Sequence, residues 1–171
     1  MRLVSYNVEW FANLFDEQDH FILDQQPSGR HGIDRYTQGH ALAHVFQTLD
    51  ADAVMVIEAP NSGKSQGTVR ALEHFAERVG IRAQSVVMGF ANETQQEIAL
   101  MYDPDVLQAH HDPLQNEDAP RFDDVLKLDL DIDAKMDHVR FSKPPLELAV
   151  TTTNGKTLRL IGAHLKSKAP H

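Results

Sequence analysis

The sequence predicts an α/β protein with a mixed, mostly antiparallel sheet. Helical and strand periodicities alternate as far as Gly80, and after that residue strand periodicity predominates. The chain has 171 residues, which is about one domain, and its 42% hydrophobic content is sufficient for a packed core. An order of β-α-β-α followed by strands is typical of a layered α/β architecture.

The chain opens with a strand, a long loop and a helix. Residues 2–9 alternate between two faces, which predicts a strand, and the alternation places Asn7 on its inward face. Residues 11–33 contain proline, glycine and scattered charges, which favour a long loop. Apolar residues recur at helical spacing over 35–49, so a helix is predicted there with Asp34 as its N-cap.

A buried strand and a second helix are predicted next. Residues 52–58 form a short apolar run that Pro60 stops. The helix that follows carries apolar residues at helical spacing and is predicted to end at Gly80. Residues 81–89 and 97–102 then have the character of two strands.

The rest of the chain is predicted to be mainly β structure. Residues 122–132 end in strict alternation, which places four apolar side chains inside: Leu126, Leu128, Leu130 and Ile132. Two alternating runs flank Asn154–Gly155, a pair that favours a hairpin with a type I′ turn.

Composition limits the classes of function. The sequence has no cysteine, which excludes disulfides and thiolate metal sites, and its formal net charge is −9. It therefore lacks the basic footprint of proteins that bind duplex DNA without sequence preference, although a bound divalent cation can still bring phosphate to an acidic protein. The sequence shows no signal-peptide pattern and no apolar stretch of membrane-spanning length, so we expect a cytoplasmic protein without membrane contact.

Two histidines have a spacing that suits metal ligands. His40 and His44 lie four residues apart on the first predicted helix. The glutamate of the H-E-x-x-H zinc motif is absent, since position 41 is Ala41. We therefore interpret both histidines as residues that flank the apolar face of the helix.

Three polar side chains stand at the ends of predicted strands. Asn7 ends the first strand, Glu58 ends the run AVMVIE, and His164 ends the run LRLIGA. Taken singly, each is also explained as an ordinary strand-end residue. Ligand sites in open α/β sheets gather at strand ends, however, and a buried carboxylate needs a partner or a metal. An amide, a carboxylate and an imidazole are together what a Mg²⁺-assisted phosphoester site requires.

Four segments carry a resemblance to a known superfamily. RLVSYNVEWF, LDADAVMVIEAPN, QQEIALMYDP and LRLIGAHLKS, in this order, resemble the first half of an endonuclease/exonuclease/phosphatase domain. Members of this superfamily are metal-dependent phosphodiesterases and phosphomonoesterases. The resemblance implies that residues 1–171 form half of a four-layer α/β/β/α sandwich, with two helices on one face of the sheet. It also implies Mg²⁺ or Mn²⁺ as the cofactor.

The resemblance further implies roles for the strand-end residues. Glu58 is expected to be the principal metal ligand. Asn7 is expected to lie beside the metal, as a ligand and as a catalytic residue. His164 is expected to be catalytic through contact with the scissile phosphate. Gln96 and Glu97 are candidates for orienting His164.

The sequence departs from the superfamily pattern after His164. The Asp-x-Asn motif and the terminal Asp-His motif of the superfamily do not follow it, so we expect an incomplete domain with weak or no activity. The function predicted for a full-length form is phosphodiesterase-like or nuclease-like hydrolysis of a phosphoester, with nucleic acid as one candidate substrate. The alternatives are a phosphomonoesterase, a lipid-headgroup phosphodiesterase, and a catalytically dead binding or assembly module.

An apolar sheet face is the basis of a further expectation. The runs around Leu126–Ile132, Leu146–Val150 and Leu158–Ile161 carry apolar residues, which the second half of the domain covers in the resembled superfamily. Soluble monomers rarely expose large contiguous apolar patches. We therefore expect a homodimer, or association with another chain through this face.

Overall fold

The computed structural model describes residues 1–29, 32–63, 67–91, 96–116, 120–129 and 135–165. Its helices and strands confirm the predicted α/β class. In chain order they are β1 (Leu3–Asn7), α1 (Arg35–Leu49), β2 (Ala53–Ala59), α2 (Thr68–Val79), β3 (Ser85–Met88), β4 (Glu97–Tyr102), β5 (Leu107–His111), β6 (Leu126–Leu128), β7 (Asp137–Val139), β8 (Leu146–Thr152) and β9 (Thr157–Gly162).

The described strands form three sheets. The first has four strands in the order β1-β2-β4-β3, and the second has three strands in the order β5-β8-β9. The pair β1–β2 is parallel, and the other pairs are antiparallel, including β6–β7 in a sheet of their own. The predicted mixed, mostly antiparallel arrangement is therefore confirmed.

The four-stranded sheet has a hydrophobic core on each face. The helix-side core joins α1 and α2 to one face, to which β2 contributes Val54 and Val56. The inter-sheet core joins the other face to the three-stranded sheet, and β2 contributes Ala53, Met55 and Ile57 to it. Because both faces of β2 are covered, its sequence is a nearly continuous apolar run rather than an alternation.

Local sequence signals explain where the helices begin and end. The carboxylate of Asp34 accepts a hydrogen bond from the backbone N–H of Thr37 at 2.7 Å, as predicted for an N-cap. Helix α2 ends at Gly80, whose φ of 73° is the left-handed conformation that glycine adopts most readily. In the described part of the chain, neither helix has the length and apolar character that crossing a membrane requires.

The predicted loop at 11–33 is more ordered than its composition indicates. A 3₁₀ helix, Phe11–Leu14, begins it, and Phe11, Leu14 and Phe15 are buried in the helix-side core. Further along, the buried carboxylate of Asp19 accepts hydrogen bonds from Gly67 and Arg70, which hold the loop against the start of α2. The segment is held by apolar contacts and side-chain hydrogen bonds, which periodicity does not reveal.

Two predictions for the later strands were wrong in detail. Leu128 is 40% exposed and Leu126 only half-buried, because β6 pairs with β7 alone, outside the two larger sheets. Leu130 and Ile132 lie outside the described residues. The β8–β9 hairpin is present, but a type I′ turn needs positive φ at both central residues. At this turn only Gly155 has a positive φ, of 79°, and the backbone N–H of Gly155 bonds to the carbonyl of Thr152.

The apolar face behind the homodimer prediction is already covered within the chain. Leu146, Leu148 and Val150 of β8 are at most 2% exposed, since they face the first sheet in the inter-sheet core. The expectation of an uncovered apolar face was therefore wrong for β8. Ile161 at the β9 edge is 63% exposed, but an isolated exposed apolar residue is ordinary. The homodimer remains a prediction, but the apolar face of β8 no longer supports it.

Candidate functional site

Five side chains meet where strand ends of the two larger sheets come together. Asn7 ends β1, Glu58 lies at the penultimate position of β2, and Gln96 directly precedes β4, so these three come from the first sheet. Lys143 precedes β8 and His164 follows β9, so these two come from the second sheet. The site is therefore built across the junction of the two sheets.

Glu58 lies at the centre of this cluster. Its Oε1 accepts a hydrogen bond from Asn7 Nδ2 at 3.2 Å and is 3.4 Å from His164 Nε2, and its Oε2 accepts one from Gln96 Nε2 at 2.9 Å. The side chains of Glu58 and His164 are 12% and 17% exposed, so the carboxylate is largely removed from water but well supplied with donors.

The backbone at Glu58 is strained. The register of β2 against β4 shifts between Ile57 and Ala59, and Glu58 at this bulge has a φ of 63°. A side chain other than glycine in this conformation costs about 1–3 kcal/mol, and such positions cluster at functional sites. Bulges re-aim side chains, and this one carries the carboxylate that contacts Asn7, Gln96 and His164.

Lys143 completes a closed ring of contacts. Its Nζ donates a hydrogen bond to Gln96 Oε1 and lies 3.1 Å from His164 Nδ1. A protonated lysine only donates, so Nδ1 must accept and carry no proton. His164 is then neutral with its proton on Nε2, the nitrogen that faces Glu58. The ring of Glu58, Gln96, Lys143 and His164 is the unit that we call the site ring.

Burial and charge shift two groups of the ring in the same direction. Burial lowers the pKa of His164, Lys143 lowers it further, and Glu58 opposes both effects. Burial also lowers the pKa of Lys143, while Glu58 and Glu97 act against that shift. The lowered pKa of His164 agrees with an unprotonated ring that accepts a hydrogen bond from Lys143.

The predicted proximity of Asn7, Glu58 and His164 is confirmed by these distances, while their catalytic and metal-binding roles stay predictions. The placement of Asn7 on an inward face was wrong. Asn7 is exposed, because alternate β1 residues such as Val4 and Tyr6 pack toward the helix-side core instead. Of the two candidates for orienting His164, Gln96 reaches it through Lys143.

Sequence reasoning missed Lys143. It lies in a polar stretch before Pro144, and neither periodicity nor a motif marks it. The predicted hairpin, however, contains information on the position of Lys143. In the β8–β9 pair Leu146 is opposite Gly162, so residues just before β8 and just after β9 lie at the same end of the sheet. That reasoning places Lys143 beside His164.

The donor set partly fits the metal implied by the resemblance. Mg²⁺ takes hard oxygen ligands, commonly one or two carboxylates together with substrate phosphates. Glu58 supplies one carboxylate and Asn7 an amide oxygen. Within the described ranges there is no group of three or more histidine, cysteine, aspartate and glutamate side chains that could hold a metal. The residues therefore fit a metal whose other ligands are water and phosphate, rather than an all-protein cage.

The left-handed backbone at Glu58 predicts an inverted order of stability for two variants. In an ordinary strand, glycine is less stable than alanine by about 0.5–1 kcal/mol. At a φ of 63° we expect Glu58→Gly to be more stable than Glu58→Ala by about 1 kcal/mol, measured by urea unfolding. The pair Ser5→Ala and Ser5→Gly, at an exposed position of β1, is the control and should keep the ordinary order. Equal or ordinary ranking at Glu58 would show that the bulge is unstrained.

The lowered pKa of His164 predicts a pH dependence of stability. Between the lowered pKa of the folded state and the ordinary value of 6.5, the unfolded chain binds more protons, so the free energy of unfolding falls as the pH drops below 6.5. His111, whose pKa is lowered by burial, acts in the same direction. We expect His164→Gln to reduce this slope in urea titrations with a chelator present. An unchanged slope would contradict the prediction.

Comparison of the chain with protein-family models, with curated proteins and with solved structures finds no match. The superfamily resemblance therefore rests on the four quoted segments. Three members of the site ring, Glu58, Gln96 and His164, lie within those segments, and the structure adds Lys143 from outside them.

Proposed function

We propose that this chain carries the metal-binding and phosphate-binding residues of a metal-dependent phosphoester hydrolase of the phosphodiesterase or nuclease-like kind. The observation that supports the proposal best is the site ring. A carboxylate, an amide, a lysine and a histidine distant in sequence converge on one another at the strand ends of two packed sheets.

Glu58 and Asn7 are the proposed holders of Mg²⁺ or Mn²⁺. When bound, the ion polarises a phosphoryl oxygen and stabilises the charge that develops on it. The Asn7 amide presents its nitrogen to Glu58, and half a turn about its last bond presents its oxygen instead. The Glu58 carboxylate is also oriented by the Gln96 amide, so little side-chain freedom is lost when a ligand binds.

Lys143 and His164 are the proposed phosphate-binding pair. Lys143 brings a positive charge with three donors, and His164 offers the Nε2 proton that faces Glu58 in this structure. A phosphate oxygen that replaces the carboxylate as acceptor receives a hydrogen bond from His164 without any change of tautomer. The lowered pKa of His164 keeps the ring neutral while it donates.

The charge of the chain favours a small substrate. A formal net charge of −9 repels a long polyanion at a distance, whereas a small phosphoester with a divalent cation experiences little repulsion. We therefore favour a small phosphodiester over duplex nucleic acid. A phosphoester-binding module without turnover is the second candidate. It is favoured by the single carboxylate of the site ring and by the lack of a three-ligand metal group among the described residues.

Binding of bis(4-nitrophenyl) phosphate with Mg²⁺ or Mn²⁺ tests the proposal. We expect Glu58→Gln and Lys143→Met each to weaken binding by about 10–100-fold, the equivalent of one hydrogen bond to a charged group. Glu73→Gln on α2 and Lys156→Met after the β8–β9 turn, both at exposed positions, are matched controls and should bind like the parent. Equal binding by all four variants would rule out the site.

Release of nitrophenol in the same samples separates the two candidates. Turnover that Glu58→Gln abolishes supports the hydrolase. Binding that depends on Glu58 and Lys143 without turnover supports the module.

A further inference from the structure

An apolar cleft lies at the small sheet formed by β6 and β7. Its volume is about 240 Å³, and most of its wall is apolar, with contributions from Phe122, Leu126, Val139 and Phe141. The rings of Phe122 and Phe141 meet edge-to-face, with centroids 5.3 Å apart and planes 80° apart. Phe141 is nevertheless 52% exposed, so the cleft presents an aromatic surface to solvent. We call it the β6–β7 cleft.

A short piece of chain joins the β6–β7 cleft to the site ring. Phe141 lines the cleft, and Lys143, which bonds to Gln96 and His164 in the site ring, follows two residues later. Two residues of extended chain span at most about 7 Å. The backbone of a site-ring residue therefore lies within about that distance of the cleft wall.

A contact with the first sheet gives a second connection between the cleft and the site ring. Arg121 also lines the cleft, and its guanidinium carbon lies 5.1 Å from the ring centroid of Phe90. Met88 is opposite Ala99 in the β3–β4 pair, so residues just after β3 and just before β4 lie at the same end of the first sheet. Phe90 is in the first group and Gln96 of the site ring is in the second. The cleft and the site ring are therefore at the same end of that sheet.

The charges around the cleft suit an anionic ester better than the chain as a whole does. Arg121 and Arg140 bring two positive charges to the wall, and Asp124 brings one negative charge. Arg121 pairs with Asp123 at 2.9 Å and with Asp124 at 3.9 Å. These four charges cancel, in a chain whose formal net charge is −9. An anionic ester is therefore not repelled locally, and the cleft takes the uncharged part of such a ligand.

The groups of the wall favour a flat aromatic occupant. Phenylalanine rings prefer edge-to-face or offset contacts with other rings, and an exposed ring such as that of Phe141 has room for one more partner. A guanidinium group that is paired at its edge still stacks on rings with its face, as Arg121 does on Phe90. An alkyl chain makes neither kind of contact, so it gains less in this cleft.

We propose that the β6–β7 cleft binds a planar aromatic substituent of the phosphoester whose phosphate binds at the site ring. The inference rests on the proposed function and narrows the substrate class to phosphodiesters that carry an aromatic group. A volume of about 240 Å³ is below the roughly 300–1,000 Å³ of pockets that hold whole drug-sized ligands, so the cleft suits one ring system. The phosphate then binds outside the cleft, and the site ring is the adjoining group of polar residues.

Binding of bis(4-nitrophenyl) phosphate and of diethyl phosphate, each with Mg²⁺ or Mn²⁺, tests the inference. Both diesters carry the same charge, but only the first has aromatic groups. We expect Phe141→Ala to weaken binding of the aryl diester by about 3–10-fold, the size of one aromatic contact, and to leave diethyl phosphate unchanged. Phe141→Tyr should restore the aryl affinity. Tyr36→Ala is the matched control, since Tyr36 of α1 is also 52% exposed and does not line the cleft.

NMR of the parent chain gives a measurement that does not depend on the variants. Nuclear Overhauser contacts are expected between the aryl protons of bound bis(4-nitrophenyl) phosphate and the methyl groups of Val139 in the cleft wall. Their absence at saturation would overturn the inference. Self-association of the parent that Phe141→Ala abolishes, measured by light scattering, would assign the cleft to a second copy of the chain and would also overturn it.

Glu58→Gln distinguishes failure of this inference from failure of the proposed function. If Glu58→Gln weakens binding of both diesters while Phe141→Ala leaves the preference for the aryl diester unchanged, the inference is wrong and the proposed function stands. If Glu58→Gln weakens neither diester, both are wrong, even when Phe141→Ala weakens the aryl diester, because the aromatic group then binds without a phosphate at the site ring.

Discussion

Replacement of Phe75 by alanine is expected to lower the free energy of unfolding by about 3–5 kcal/mol. Phe75 of α2 is fully buried in the helix-side core. Its ring packs edge-on against Phe11, Phe21 and Phe46, with centroids 4.9–5.1 Å apart. Truncation removes contacts with the 3₁₀ helix, the loop and α1 at once, and leaves a cavity that three aromatic neighbours cannot fill without leaving their own contacts.

Urea unfolding measures this loss, with Phe75→Leu as the matched variant. Leucine restores much of the volume without the aromatic edge contacts, so its loss should be clearly smaller than that of alanine. The pKa of His164 should be the same in Phe75→Leu as in the parent, because neither Phe75 nor the three rings that it packs against belong to the site ring. A loss below about 1 kcal/mol for alanine, typical of a surface position, would show that α2 is not packed as described.

The parts of this fold that sequence predicts well are those with a local cause. Helix α1 follows from the Asp34 cap and a run of apolar residues at helical spacing, and the end of α2 follows from Gly80. β4 matches its predicted limits, Glu97–Tyr102. The loop after β1 was predicted less well, because a buried Asp19 bonded to Arg70 depends on residues 51 apart. No short pattern contains that information.

The candidate site also contains some residues that the sequence predicts and others that it does not. Asn7, Glu58 and His164 are recognisable because each is a polar residue at the end of a run that sequence predicts as a strand. Lys143 and the bulge at Glu58 are not, since their positions depend on the pairing of β8 with β9 and of β2 with β4. The apolar face of β8 was predicted to be exposed, and that prediction failed for a related reason. The alternation of β8 identified its apolar face correctly, but not the first sheet as the surface that covers it.

The site ring draws its members from both sheets, so its geometry depends on how those sheets pack. Glu58 and Gln96 belong to the first sheet, and Lys143 and His164 flank strands of the second. Contacts within each sheet do not bring the two halves of the ring together. The inter-sheet core must do so, and a mutation there should disturb the ring even when it lies far from it in sequence.

Replacement of Leu148 by alanine is therefore expected to have two effects. Leu148 is fully buried in the inter-sheet core, opposite His111 on one side and Leu160 on the other. Its truncation should lower the free energy of unfolding by about 2–5 kcal/mol. It should also raise the pKa of His164 toward its ordinary value, because burial is the main cause of the lowered pKa and looser sheets admit more water.

Urea unfolding and NMR titration of His164 measure the two effects of Leu148→Ala, and Leu148→Val provides a milder loss if the alanine variant is too unstable. Leu128→Ala on the exposed face of β6 is the matched control, and both quantities should stay near those of the parent, with stability within about 0.5 kcal/mol. Phe75→Leu separates general destabilisation from the local effect, since it weakens the helix-side core without loosening the sheets from each other. A Leu148 variant that loses stability while His164 titrates as in the parent would show that the site ring is held by its own hydrogen bonds and not by the packing of the two sheets.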